Sequence, residues 1–431
     1  MAITTGRRWA LVAAALALAA AAGACSDQPD FDLIVRGGTV HDGTGELSGV
    51  RRADVGVKGD RILAIGDLGA RSAADVIDAT GKIVAPGFID ALSRSGVSLL
   101  ADGVGESHLR QGITSEILAD KSAAFWTANT ADTAALQRSG LTLDWSGLNG
   151  YFTKLESRGS AINVGTMVPL SLARAAGNSA TFIDAAMRDG AFGVIDDVNA
   201  DAAALTAAAT AAGRYDGMSM INVESPVAAD DAALLSVGAH TRRLLISGLS
   251  RVAADESISE LVRRIGRVGQ RNVSVWGALT PYPPMPGASD MVVRDALKYG
   301  GTLIGTGTAA VSGASPPADT PPAAFGAFPR LLGQLARDGR VLDLRDAIRR
   351  NTSMAADIFQ IPQRGIIREN YFADIVVFDE RAIADRATVD KPNEYPAGID
   401  YVIVNGVVAS TPKGLTGSRP GHRLTRPLTP R

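Results

Sequence analysis

From about residue 90 to residue 365 the chain alternates short apolar runs of β character with Ala-rich stretches of helical periodicity, and no other feature narrows its folding choices as much. The β-type runs are GITSEIL, INVGTMVPL, GAFGVID, GMSMINVES, RLLISGLS, VSVWGALTPY and GTLIGTG. Helical spacing shows in DAAALTAAATAAGRY, SISELVRRIGRVGQR and AFPRLLGQLARDG. Strands that return to the same sheet through helices must run parallel and are covered on both faces, which is why they read as nearly unbroken apolar runs. The repeat and its length predict an α/β fold, a (β/α)₈ barrel.

Both ends of the chain have a different texture. FDLIVRGGTVHDGTG and ADVGVKGDRILAIGDL precede the barrel, with Gly37-Gly38 and Gly59-Asp60 as hairpin signals. RGIIRENYFADIVVFD and IDYVIVNGVVAS follow it and read as two more hairpins, the second turning at Asn405-Gly406, with Asn370 expected at positive φ. A pair of hairpins alone is marginal, so the two ends are expected to share one small β-sandwich. The expected domains are residues 32–85 and 366–431 for the sandwich and tail, with 86–365 as the barrel. SGASPPADTPPAAFGAFPR reads as a Pro-rich loop late in the barrel, where loops cover the functional face.

Residues 1–24 read as an export signal: Arg7 and Arg8, the apolar run WALVAAALALAAAAGA, then CSDQPD. The run is short for a membrane span. The chain's one cysteine, Cys25, follows Ala22-Gly23-Ala24 as in a bacterial lipobox. That resemblance implies a lipidated Cys25 on a linker of residues 25–31, with Ser26 directing it to an outer membrane facing the periplasm. Plain cleavage after the AGA is the alternative. A lone cysteine leaves none for a disulfide. The net charge of −2 and the lack of Lys/Arg blocks exclude a nucleic-acid binder, leaving the lipid at Cys25 as the membrane contact.

The stretches GGTVHDGTG, VIDATGKIVAPGFID, RQGITSE, GAFGV, FGAFPRLL, LRDAIRRNTSMAADIF, RGIIRENYFADIVVFD, YVIVNGVV and TGSRPG together resemble the amidohydrolase superfamily, in particular the N-acyl-D-amino-acid deacylase (D-aminoacylase) group. The likeness runs from about residue 32 to 423. It implies a metal-centred barrel, normally with zinc, hydrolysing linear amides. Such an ion activates a water and polarises the scissile carbonyl, with ligands at the C-terminal ends of barrel strands.

Where the resemblance implies metal ligands, this sequence carries other residues. A first strand expected to end Asp-x-His-x-His reads Asp90-Ala91-Leu92-Ser93-Arg94. Leu92 has no donor atom, and Arg94 is a fixed cation. A histidine position on a later strand holds Asn222, with Glu224 at the substrate-binding arginine; another holds Gly248, and the last metal aspartate is Gly307. Pro169-Leu170-Ser171 stands for a Gly-His-Gly, and Pro321 and Ala323 for a His and an Arg. The only histidines are His41, His108, His240 and His422; none follows a barrel strand, and all four read as surface or capping residues. No metal cofactor is therefore expected.

Asp90, Ser93, Arg94, Asp120, Lys121, Asn222, Glu224, Ser247 and Tyr282 are expected to face the former site, with Arg94 buried against Asp120 or Glu224. No Gly-x-Ser-x-Gly elbow is present, and a Ser93 nucleophile would have to lean on Asp120 or Lys121. GVGESHLRQG reads as a loop, and Asp374 as structural. The sequence thus favours a non-catalytic module that binds an acylated amino acid or a cell-wall-derived small molecule, or acts as a scaffold. The alternative is a hydrolase with a rebuilt site.

Overall fold

The computed structural model describes residues 29–120, 140–197, 200–223, 231–251, 273–283, 290–313, 317 and 319–427. The expected leader, Cys25, Lys121, Glu224 and the SISELVRRIGRVGQR segment lie outside them.

Five strands precede the barrel: β1 (Phe31–His41), β2 (Val50–Lys58), β3 (Arg61–Gly66), β4 (Ala73–Asp78) and β5 (Ile83–Pro86). The barrel staves are β6 (Phe88–Ser93), β7 (Ile113–Leu118), β8 (Asn163–Thr166), β9 (Val168–Pro169), β10 (Gly193–Asp197), β11 (Met218–Asn222), β12 (Arg243–Ser247), β13 (Ser274–Leu279) and β14 (Thr302–Ile304). Four more strands, β15 (Ile375–Phe378), β16 (Ile399–Val404), β17 (Val407–Thr411) and β18 (Gly414–Leu415), return to the first sheet. Its order is β18-β17-β16-β15-β5-β1-β2-β3, with β4 also on β1. β15 lies antiparallel on β5, Ile375 opposite Pro86, so the two chain ends build one sandwich as expected. Its core is Leu33, Val35, Val55, Val57, Ile62, Val84, Ile375, Val377 and Ile403.

Two of the expected hairpins are corrected. Gly37-Gly38 does not turn the chain; it forms a bulge inside β1, with Gly37 at φ +72° and the register slipping between Val35 and Gly38. RGIIRENYFADIVVFD yields only β15, its first half being irregular chain held by bonds such as Ala373 N to the Asp60 carbonyl. Gly59-Asp60 and Asn405-Gly406 do turn the chain, and Asn370 has φ +67°. GVGESHLRQG is not all loop, because Glu106–Leu109 forms a helical turn.

The barrel staves run parallel in two ladders, β6-β7-β8 and β9-β10-β11-β12-β13-β14. β8 and β9 are one stave interrupted at Met167, which gives eight. Side chains divide between two apolar clusters. Ile89, Ala91, Ile117, Met167, Ile195, Met220, Leu245, Ala278 and Leu303 fill the lumen. Phe88, Leu118, Val164, Val194, Ile221, Ile246, Leu279 and Ile304 pack against helix residues such as Leu99, Tyr151, Ile183 and Leu205.

The tail plugs the lower end of the barrel. Val164 N donates to the His422 carbonyl (2.9 Å) and Leu424 N to the Val164 carbonyl (2.7 Å), so the tail borders β8 where β10 does not pair. Leu424 joins the lumen cluster beside residues of the helix Ser353–Phe359. Three tail arginines reach carbonyls at the ends of successive barrel helices. Arg419 takes Arg158 O, Arg423 takes Asp189 O, and Arg426 takes Ala191 O and Tyr215 O. These are the groups a helix C-terminus leaves unsatisfied. Between barrel and sandwich, Asp374 pairs with Arg364 and accepts from Asn405 N (2.9 Å) and Asn163 Nδ2, the structural role expected of it.

Candidate functional site

In parallel strands, residues in register share a face. Asp90 pairs with Glu116, and Glu116 with Val164, which belongs to the outer cluster. Asp90 and Glu116 therefore face the helical layer and not the lumen. Ser93 pairs with Leu118 of the same outer cluster and points the same way. This corrects the expectation that Asp90 and Ser93 line the former metal site.

These residues meet His108, which the helical turn Glu106–Leu109 delivers fully buried. Its expected reading as a surface or capping histidine is wrong. His108 Nδ1 lies 2.8 Å from Glu116 Oε1 and 3.9 Å from Asp90 Oδ2, and Nε2 is 3.3 Å from Thr308 Oγ1. Ser93 Oγ donates to Glu116 Oε2, and the Ser95 hydroxyl is 2.9 Å from it. Asp90 accepts from Thr306 Oγ1 (2.6 Å), Thr306 N (3.0 Å) and Leu92 N (2.9 Å).

The protonation preferences follow from this packing. Burial pushes Asp90 up to about 6, with His108 pulling it down and Glu116 pushing it further up. For His108, burial alone favours the neutral ring; the charge and hydrogen bond of Glu116, with Asp90, overturn that and hold it above its ordinary value. Burial likewise works to raise Glu116, yet His108 and the Ser93 and Ser95 hydroxyls hold it below the usual range. The Tyr151 phenol is raised by burial and by Glu116. The cluster is therefore a buried imidazolium–carboxylate pair beside a carboxyl that holds its proton more tightly than usual. The carboxylate that Ser93 touches, Glu116, is already tied to His108, and Ser93 points away from the lumen, where a substrate would have to reach it.

The lumen side of the mouth is different. Asp197, Asn222 and Ser247 stand in register on β10, β11 and β12, on the lumen face of their strands. Ser247 Oγ donates to Asn222 Oδ1 (3.1 Å), and Asn222 Nδ2 to Asp197 Oδ1 (3.1 Å). Asn222 and Ser247 thus lie where expected, joined by Asp197, which the sequence reading missed. Opposite them the lining is apolar: Leu92 packs on Gly305, where an added Cβ would come within 2.4 Å of Leu92 Cβ. Arg94 is exposed just past β6, with its backbone N on Thr308 O (2.8 Å). The expected buried pairing of Arg94 is thus corrected. Asp120 is half-buried and engaged, and the Tyr282 hydroxyl donates to Asp385 (3.1 Å).

The described residues do not fit a metal. Gly248 lies at φ +81°, and any Cβ there would sit 2.2 Å from the Val223 carbonyl oxygen, so the backbone has no room for a ligating side chain. Gly307, at φ +66°, likewise offers no donor side chain. Among the described residues no group of three or more His, Cys, Asp or Glu is placed to hold a metal ion.

A parallel barrel with a sandwich made from both chain ends is the amidohydrolase architecture, and the chain carries an amidohydrolase-family domain. The amidohydrolase family model matches residues 195–409. More particularly, the chain is 29% identical to a D-aminoacylase of Alcaligenes xylosoxydans xylosoxydans over 93% of its own length and 99% of the relative's. It is also 29% identical to an N-acyl-D-glutamate deacylase of that organism, over 93% and 97%. Among solved structures it is similar to the N-acyl-D-glutamate deacylase of Bordetella bronchiseptica, complexed with zinc and a phosphonate inhibitor. The TM-score is 0.79 at 26% identity, covering 92% of this chain and 99% of that one. A D-aminoacylase structure gives 0.75 at 26% identity, covering 92% and 100%. The homology is to amidohydrolases of the deacylase type.

Proposed function

We propose that this chain is a deacylase-type amidohydrolase-fold protein that binds an acylated amino acid or a related cell-wall-derived molecule at the barrel mouth without metal-dependent hydrolysis. The observation that carries this reading is the set of strand ends: Leu92, Arg94, Asn222, Gly248 and Gly307 at positions where the resemblance implies metal ligands, with Gly248 sterically closed to one. The Asp197–Asn222–Ser247 chain supplies hydrogen-bonding groups for a polar ligand, and the Leu92–Gly305 side supplies an apolar wall. The protein works in the cell envelope, exported and held by a lipid on Cys25.

A second reading, hydrolysis of the carbon–nitrogen bond of linear amides through a rebuilt site, is favoured by similarity to deacylases along nearly the whole chain. One experiment separates the two. N-acetyl-D-glutamate and N-acetyl-D-aspartate are offered to the purified protein with and without excess zinc, recording both heat of binding and released amine. Binding without release, unaltered by zinc, supports the first reading. Zinc-dependent release establishes the second and removes the first.

A further inference from the structure

The ladder of the barrel is not continuous between its first and last staves: β6 and β14 belong to different sheets. What joins them is the chain just past β14, residues 305–313, fastened to β6 and to the helical turn by side chains. Thr306 N and Oγ1 donate to Asp90, and Ala310 N donates to Ser95 Oγ (2.9 Å). Val311 N donates to Ser107 Oγ (3.0 Å), and Thr308 Oγ1 meets His108 Nε2. This segment leaves the C-terminal end of a barrel strand, so it borders the mouth.

We infer that His108, as an imidazolium, is the counter-charge that lets two wall carboxylates be buried at this seam, and that the resulting clasp holds the mouth segment 305–313 closed. The geometry requires a cation here. Asp90 and Glu116 are neighbours in register, both fully buried, and His108 is the basic side chain that reaches both. Uncompensated, two carboxylates at this spacing repel and cannot both stay ionised out of water. The charged or titratable groups facing His108 are Asp90 from β6, Glu116 from β7 and, through Glu116, Tyr151 from the helix Gly147–Arg158; the facing segment 305–313 contributes only hydroxyls and amides. The ordinary preference of a buried histidine for the neutral ring is reversed here, in keeping with this role. When His108 gives up its proton, Glu116 loses its counter-charge and the ring keeps a single N–H, so it no longer donates to both Glu116 and Thr308, and the hold on the segment along the mouth weakens.

Hydrogen exchange of the full chain, read on peptides covering residues 305–313, tests this. His108→Gln is expected to speed exchange there roughly tenfold at neutral pH, the scale of one lost charged hydrogen bond. Adding Glu116→Gln removes the stranded carboxylate and is expected to restore most of the protection. Unchanged exchange in the single variant, or a double variant no better protected than the single, would overturn the inference. Should His108→Gln fail to fold, Glu116→Gln alone decides. Corrected for intrinsic rates, wild-type exchange of the segment must rise as pH climbs above the ordinary histidine range, and Glu116→Gln must move that rise to lower pH. A rise that does not move, or no rise, sinks the idea.

Discussion

The two faces of the first barrel strands contrast sharply. On the lumen face stand Ile89, Ala91, Leu92, Ile117 and Ala119, with the uncharged Ser115 low on β7 as the polar exception. On the face toward the helices stand Asp90, Ser93 and Glu116, joined by His108. A metal-centred barrel needs its donors inside the lumen at the strand ends, where a substrate can reach them. Here the charged groups of β6 and β7 lie behind the wall, mutually satisfied and sealed. A buried acid–histidine group is therefore not by itself an active site, because which side of a strand it occupies decides whether it does chemistry or holds the fold together.

Removing the acceptor on the helical face should break the contrast most severely. Asp90→Ala leaves three buried donors, two on Thr306 and one on Leu92, with no acceptor, and should cost about 3–5 kcal/mol in chemical denaturation. A loss under 1 kcal/mol would mean that water or relaxation replaces Asp90. On the lumen face, Leu92→His places an imidazole in a tight apolar contact with Gly305 and should cost about 1–3 kcal/mol. Metal analysis after zinc exposure should still find no stoichiometric ion; if zinc is taken up, the lumen retains a hidden ligand set.

Stability against pH sharpens the comparison. Glu116 is held below its ordinary value, so its contribution is present above an unfolded pKa near 4.5 and fades as pH falls. His108 is raised, so its contribution is full below about 6.5 and is lost as pH rises through its folded value. Asp90, raised to about 6, likewise favours the folded state on the acid side and loses that contribution as pH climbs from its unfolded value toward 6. Thermal midpoints should thus be highest in mildly acidic buffer and fall on the alkaline side, and His108→Gln should flatten that limb. Smallest of all, Thr308→Val removes only the Nε2 partner and should cost about 0.5–1.5 kcal/mol. A larger loss would mean that Thr308 carries more of the seam than His108 does.

The fold was largely legible in the sequence. The alternation of β runs and helical stretches gave the barrel, Asn405-Gly406 gave its hairpin, and β runs at both ends gave the shared sandwich. Gly37-Gly38 misled because a glycine pair serves a bulge as readily as a turn. The cluster behind the wall was not legible for a specific reason. GITSEIL is buried on both faces, so it lacks the alternation that would tell which way Glu116 points. Only its register with Val164 and Asp90 settles that, and register is a long-range property. A glutamate in the middle of an apolar strand was itself a signal, since such a charge must find a partner. The partner it finds is His108, eight positions earlier.

The tail carries a consequence for how the molecule is made. Leu424 and the arginines at 419, 423 and 426 complete the lower end of a barrel whose first strand lies more than three hundred residues earlier. Synthesis delivers these residues after every barrel strand, so the barrel cannot reach its finished packing until the chain has been made past them. A nascent chain stopped short of residue 419 would hold every described strand yet leave the lower end of the lumen without Leu424 and these helix-end carbonyls without their arginines. Arrival of this segment is thereby checked by the fold itself, and a product ended before it is marked by its own instability.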